Sequence, residues 1–191
     1  MSKHILVAVA ACAAALGSAA NARTTQEDLN HHASQQSRIA ADELHGRVSV
    51  ARAGSLHESA AAVERVEADT LAANYSASRQ QLASAERDLD HAIAHAEHAK
   101  HKPHAVSTLD RVHAQVAGAR EAEQQHWIAA GYRHGSFDAA QTAQLERDQA
   151  DVVAHQAALE RRGHESVDEA LQVQHLQDVQ DWAIRGAHSH A

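Results

Sequence analysis

The feature that most restricts the fold of this chain is the three- and four-residue spacing of its apolar positions through long alanine-rich stretches. The only proline is Pro103, and aromatic residues make up 3% of the sequence. Alanine has the highest helix propensity, and no window alternates with a period of two over the length of a strand. The sequence therefore predicts an all-α fold of long, Ala-rich amphipathic helices joined by thin apolar seams.

Capping signals divide the first half of this pattern into three helices. The first is predicted to start at a capping box that opens at Thr24 and to stop at Gly54. Ser55 would cap a second helix, and a third would cover about 82–101, because a helix must end before a proline.

The second half repeats these signals. Ser107 is predicted to cap a helix that ends near Gly135, a heptad-like seam then runs to Gly163, and Ser166 caps a last helix that ends at Gly186. The apolar positions expected to line the seams of these helices and of the first one include Leu44, Leu109, Val112, Val116, Ile128, Leu171, Val179 and Trp182.

The two halves also match in sequence. The block 52–56 (RAGSL) aligns with 133–137 (RHGSF), and 63–69 (VERVEAD) aligns with 145–151 (LERDQAD). Repetition of a block at one spacing is the signature of repeat architectures. We therefore predict a tandem duplication of a three-helix unit.

The domain organisation follows from this duplication and from the start of the chain. Residues 1–22 are predicted to be a signal peptide, 23–102 the first helical unit, 103–106 a linker and 107–191 the second unit.

The start of the chain has the three parts of a secretory signal. Lys3 precedes the apolar run 5–16, and Ala20-Asn21-Ala22 is the small-x-small pattern before a cleavage site. The run is short against the roughly 20 apolar residues of a membrane-spanning helix. We therefore expect cleavage after Ala22, a periplasmic or secreted location and no membrane span afterwards. Lipidation of Cys12 is the alternative, because Val9 to Cys12 fits a lipobox.

Charge and histidine content bear on the partners. The formal net charge is −8 with all 18 histidines neutral, and their protonation would reverse its sign. An acidic surface at neutral pH is a poor partner for a phosphate backbone, so nucleic-acid binding is not expected.

The densest histidine cluster is predicted to form an exposed stripe on the third helix. His91 and His95 are an i,i+4 pair, His98 lies on the same face and His101 on its flank. Imidazole ligands in this arrangement suit Zn²⁺, Cu²⁺ or Ni²⁺. The alternative is a solvated helix face without a ligand.

A resemblance to a known family adds to this picture. The stretch 127–137 (WIAAGYRHGSF), followed by 143–147 (AQLER), resembles a family of uncharacterised secreted proteobacterial proteins that repeats an I-x-x-G-x-x-S-G-x-L-T pattern followed by L-E. The match covers 120–186, and more loosely 45–100. It implies secretion and a helical repeat, and it supplies no activity. A second similarity links 137–141 (FDAAQ) to the Leu-Thr-x-x-Gln motif of the Spy/CpxP group of periplasmic chaperones.

The functional hypothesis is a non-enzymatic periplasmic protein that binds or buffers divalent transition metal ions. No Gly-x-Ser-x-Gly, His-Glu-x-x-His or phosphate-binding loop is present, so an enzyme is not expected. Two alternatives stay open. One is a metal-independent chaperone or envelope-stress protein whose partners are unfolded envelope proteins, and the other is a helical spacer that associates with itself.

Overall fold

The computed structural model describes residues 25–73, 79–99, 107–163 and 165–188, which form six helices and no strand. The all-α prediction is confirmed. The helices are α1 (25–44), α2 (Val50–Ala72), α3 (Arg79–His98), α4 (Thr108–Arg133), α5 (Ala139–Arg162) and α6 (Val167–His188). None of the described helices is both long and apolar enough to span a bilayer. The predicted signal peptide and the predicted linker 103–106 lie outside the described residues.

The centre of the fold is the antiparallel pair α2 and α5, whose contact is more extensive than that of any other pair among α2 to α6. Each helix contributes a row of small residues at heptad spacing. The rows are Gly54, Ala61 and Ala68 on α2 and Ala143, Ala150 and Ala157 on α5.

These small residues let the two backbones approach closely. A Cβ atom added to Gly54 would lie 2.9 Å from the carbonyl oxygen of Ala157. No larger residue fits that contact without moving a helix, so the seam fixes how far apart α2 and α5 lie.

The other four helices flank this pair. Ile39 of α1 and Ile93 of α3 pack with Leu56 of α2 in one apolar cluster. Ile128 of α4 and Ile184 of α6 pack with other apolar residues in a second cluster beside α5. The result is a four-helix core of α1, α2, α4 and α5. Helix α3 packs against α2, and helix α6 packs against α4 and α5.

The first corner differs from its prediction. Gly54 does not stop a helix but lies inside α2, and the chain turns earlier, at Gly46, whose φ is +66°. Ser55 likewise lies inside α2, where its hydroxyl donates to the carbonyl of Ala51. The backbone of α2 starts after Ser49. Close packing against α5, rather than a left-handed turn, is therefore the reason for glycine at position 54.

The corner at Gly46 has the same hydrogen bonds as the corner at Gly135. The amides of Arg47 and Val48 donate to Asp42, and those of Ser136 and Phe137 donate to Gly131. These two corners are 89 residues apart, whereas the sequence alignment placed the halves 81 to 82 residues apart. The difference of about one heptad has a physical reason, because helices with a seven-residue repeat of alanine match one another again after each heptad.

The spacing of 89 residues also brings buried positions into correspondence. Equivalent buried pairs are Gln35 and Gln124, Gln36 and Gln125, Ile39 and Ile128, Val48 and Phe137, and Leu56 and Leu145. The duplication itself remains a prediction, and the two halves now align at a spacing of 89 residues.

The predicted caps of the second half agree with the structure. Ser107 accepts a hydrogen bond from the amide of Asp110, Gly163 takes the left-handed conformation after α5, and Ser166 and Glu169 form a reciprocal cap before α6. The predicted end at Gly186 is two residues early, because α6 continues to His188.

Several apolar residues expected in the seams are instead exposed. They are Leu44, Leu109, Val112, Val116, Leu171, Val179 and Trp182, whereas Ile128 is buried. The inward face of α4 carries alanine, glycine, glutamine and glutamate in their place. The polar residues of α4 therefore face the core and its valines face outward.

Enlarging the central seam should destabilise the fold. We expect Ala61→Leu to lower the free energy of unfolding by about 1–3 kcal/mol, because an overpacked core forces helices apart. Ala62→Leu is the matched control, since Ala62 is the exposed neighbour on the same helix and should change stability by less than about 0.5 kcal/mol. Urea unfolding followed by circular dichroism measures both, and equal losses would contradict a close α2–α5 contact.

Candidate metal centre

The interior of the four-helix core is lined with ionisable side chains. Eight histidines and glutamates are at most 5% exposed: His32, Glu43, His57, Glu64, Glu67, Glu121, Glu146 and Glu160. On α2 and α5, four of them follow a small seam residue by three positions: His57, Glu64, Glu146 and Glu160. The heptad spacing that builds the seam therefore also places these polar side chains along one inward face.

His57 is the centre of the first cluster. Its Nε2 atom lies 3.7 Å from a carboxylate oxygen of Glu43, and its Nδ1 atom lies 3.1 Å from one of Glu121. Glu43, His57 and Glu160 each offer one donor atom within 4.8 Å of the others, and all three are buried. Helices α1, α2, α4 and α5 thus each contribute one residue to this cluster.

Gly118 of α4 packs directly against this cluster. A Cβ atom at this position would lie 2.9 Å from Oε2 of Glu43 and 3.4 Å from Nε2 of His57. The helix therefore has its smallest residue where the imidazole and the carboxylate of the cluster meet.

Most carboxylate oxygens of the cluster have no hydrogen-bond partner. This holds for both oxygens of Glu43, one of Glu121 and one of Glu160, while the other oxygen of Glu121 lies 3.1 Å from Nδ1 of His57. The other oxygen of Glu160 accepts a bond of 2.6 Å from the amide of Gln156. Buried polar atoms in native proteins almost always have a hydrogen-bond partner, so we expect these oxygens to bind protons or a cation.

The pKa values of the cluster reflect its burial. Burial opposes a charged imidazolium, yet the carboxylates of Glu160 and Glu121 outweigh it and raise the pKa of His57 well above its ordinary 6.5. Burial also raises the pKa of Glu121 and of Glu160, although the nearby His57 partly offsets the shift. Without a metal ion the cluster therefore retains protons at neutral pH.

A second cluster surrounds His32. Its Nε2 and Nδ1 atoms lie 3.5 Å from Glu64 and 3.5 Å from Glu67, respectively. Here burial dominates and lowers the pKa of His32 to about 4. Because the two carboxylates lie at different ring nitrogens, His32 cannot share one ion with both of them. Glutamine side chains bond this cluster instead, with Gln36 donating to Glu64 and Gln125 to both oxygens of Glu146.

The predicted histidine stripe lies elsewhere. His91, His95 and His98 are on the exposed face of α3, and His101 falls outside the described residues. Nδ1 of His95 lies 2.6 Å from the guanidinium of Arg52, which places a fixed positive charge beside the expected ligand. Among the described residues, the one group with metal-binding geometry is the triad of Glu43, His57 and Glu160.

Sequence reasoning missed this triad because its members are far apart in the chain and lie at polar positions that a hydropathy pattern does not place in a core. One signal was available: His57 and Glu160 each follow a seam position, Gly54 and Ala157, by three residues. Polar residues at that heptad position next to a row of alanines face the same side as the seam.

Comparisons with known proteins give no relative for this centre. No family model, no curated protein and no solved structure matches the chain. The resemblance to a secreted proteobacterial family therefore stays a prediction, and the chemistry of the centre is argued from its geometry.

The second cluster yields a prediction for the pH dependence of stability. Burial raises the pKa of Glu146 from 4.5 to about 8. Between these values the folded protein holds a proton that the unfolded chain has released, so this residue makes stability fall as pH rises, by at most about 1.4 kcal/mol per pH unit. Glu146→Gln should remove this contribution to the slope. The stability of the variant relative to the unaltered protein should therefore increase from pH 5 to pH 8.

Urea unfolding at pH 5, 6, 7 and 8 measures this slope. Glu123→Gln, which removes an exposed glutamate of α4, is the control and should keep the slope of the unaltered protein. An identical slope in Glu146→Gln would show that Glu146 is already ionised in the folded state.

Proposed function

We propose that this protein binds a divalent transition metal ion inside its four-helix core, with Nε2 of His57 and the carboxylates of Glu43 and Glu160 as ligands. The observation that supports this most strongly is the buried cluster of carboxylate oxygens without hydrogen-bond partners around one imidazole. Helix bundles place metal ligands in this way, on facing helices that project into the core.

The donor set matches a divalent ion in distance and charge. Donors bonded at about 2.1 Å to one tetrahedral ion lie about 3.4 Å apart, and the distance from His57 to Glu43 is 3.7 Å. Two carboxylates and a neutral imidazole carry a charge of about −2, which a divalent cation balances. Mixed oxygen and nitrogen donors suit Zn²⁺, Mn²⁺ or Fe²⁺.

Glu121 would act on the metal through His57. With Nε2 directed to the ion, Nδ1 carries the ring proton and can donate it to Glu121, 3.1 Å away. A carboxylate on the far nitrogen fixes the tautomer and orientation of a ligating histidine. Glu121 is therefore a positioning residue in this proposal.

The role of the protein is then to hold or buffer metal ions in the periplasm, without catalysis. The predicted signal peptide supports the location, and the absence of a recognised catalytic motif in the sequence supports a binding role. The exposed stripe of His91, His95 and His98 is a separate, weaker candidate, because Nδ1 of His95 contacts the guanidinium of Arg52.

Isothermal titration of the metal-free protein with Zn²⁺ at pH 7.4 tests the proposal. We expect one saturable site per chain. His57→Gln should weaken binding by more than about 100-fold, beyond the 10- to 100-fold typical of residues that only orient a ligand. The double variant His91→Gln/His95→Gln is the control and should leave the tight site intact. The reverse result would assign the site to the stripe of α3.

A second pair of variants keeps every ligand in place. Gly118→Ala should weaken Zn²⁺ binding, because the added methyl group occupies the space beside Glu43 and His57. Gly186→Ala is its control, since a Cβ atom there meets nothing within 4 Å. Circular dichroism confirms folding of each variant, and equal affinities would place the ion away from Gly118.

A chaperone is the second candidate function, and one observation favours it. Leu109, Val112 and Val116 on α4 and Val167 and Leu171 on α6 are large, apolar and exposed. Patches of this kind bind apolar segments of other proteins. In that case suppression of client aggregation should persist in His57→Gln and in the presence of a chelator.

A further inference from the structure

A cavity at the surface shares one residue with the proposed metal centre. It lies between α4, α5 and α6, has a volume of about 280 Å³ and includes Glu160 in its wall. Glu160 is 5% exposed, and its Oε2 atom has no hydrogen-bond partner. Glu160 therefore belongs both to the wall of the cavity and to the triad with Glu43 and His57.

We propose that this cavity is the path by which divalent metal ions reach the core, with Asp110, His113 and Glu165 attracting the ion to its mouth and Glu160 as the ligand that receives it. The inference rests on the proposed function and extends it to new residues. A buried site needs such a path, because α1, α2, α4 and α5 otherwise enclose its ligands.

The mouth has the ligand types that a divalent ion requires. Asp110 and His113 are three residues apart on α4 and therefore on one face of the helix. Glu165, just before α6, has its carboxylate 3.4 Å from Nδ1 of His113. Both side chains of this pair are partly accessible to solvent. An ion held here would replace a weak contact between His113 and Glu165.

The cavity is large enough for an ion that keeps part of its water shell. A water molecule takes about 30 Å³ in the liquid, so 280 Å³ holds several. One cation, Arg120, also lines the cavity, but its guanidinium pairs with Asp178 at 2.6 Å and with Asp181 at 2.5 Å. Its charge is therefore compensated and does not close the path to a metal ion.

The cavity found in the other part of the core is much smaller. The cavity beside Glu67, between α1, α2 and α3, has a volume of about 10 Å³ and is lined by Leu29 and Leu82. Leu29 is the position 89 residues before Gly118. The path and the metal-binding triad thus occur together on one side of the core.

The test measures the rate of metal uptake separately from the dissociation constant of the bound ion. Uptake of Co²⁺ by the metal-free full chain is followed by stopped-flow visible absorption, and the dissociation constant by competition with a chelator. In Asp110→Asn/Glu165→Gln we expect uptake and release to slow by about tenfold each, with a dissociation constant unchanged within about twofold. Asp168→Asn, in the first turn of α6 and outside the cavity, is the matched control and should keep both rates.

A second variant blocks the mouth without altering charge. Leu171 lines the cavity and is exposed, so Leu171→Trp should fold normally and slow uptake and release together. Val179→Trp is the control, because Val179 is exposed on α6 but does not line the cavity.

The outcomes distinguish this inference from the function on which it rests. If the unaltered protein takes up no Co²⁺, both are overturned. If it binds Co²⁺ and the two mouth variants keep its rates, the metal centre stands and the path is elsewhere. If a mouth variant loses affinity while its release rate rises, Asp110 and Glu165 belong to the equilibrium site and their role in attracting the ion is wrong.

Discussion

The close contact of α2 and α5 determines the rest of this structure. Glycine and alanine at every seventh position allow the two backbones to meet, as the 2.9 Å from a Cβ at Gly54 to the Ala157 carbonyl shows. Small side chains bury little apolar surface, so this seam fixes geometry more than it supplies stability. It also places the positions three residues later, including His57 and Glu160, between the four central helices, where water is largely excluded.

Eight ionisable side chains in that space are unfavourable unless something compensates their charge. Removal of an ion from water costs several kcal/mol, about as much as good pairing returns. The two clusters meet this cost to different extents. Around His32, Gln36 and Gln125 donate hydrogen bonds to Glu64 and Glu146, while both oxygens of Glu67 and one of Glu64 remain unbonded. Around His57 most carboxylate oxygens remain unbonded, and a divalent ion is a partner that would satisfy several of them at once.

The sequence predicted the helical class and the caps of the second half because those depend on local chemistry. Ser107, Gly163 and Ser166 act within one turn of their own position, and their roles agree with the structure. The corner at Gly46 was missed because Gly54, inside α2, has the same local sequence signs as a helix end. Only the contact with α5, more than 100 residues away in the chain, explains why that glycine is helical.

The inward faces were harder to predict than the helices. Valine and leucine at helical spacing on α4 normally indicate the buried stripe, yet Val112 and Val116 are exposed and Glu121 is buried. Hydropathy does not identify the inward faces of these helices, because the tightest packing requires alanine and glycine and polar side chains fill the space beside them. The candidate triad of Glu43, His57 and Glu160 could not be predicted for the same reason, since these residues lie at core positions that a hydropathy pattern assigns to the surface.

In the register of 89 residues, His32 corresponds to Glu121 and His57 to Glu146. The cluster around His32 and Glu146 and the cluster around His57 and Glu121 therefore have histidine and glutamate at interchanged positions, in different surroundings. Leu29 is buried at the position that corresponds to Gly118, where the absence of a side chain lets Glu43 and His57 pack directly against the backbone of α4. The cluster that packs on Gly118 is also the one whose Glu160 lines the cavity between α4, α5 and α6.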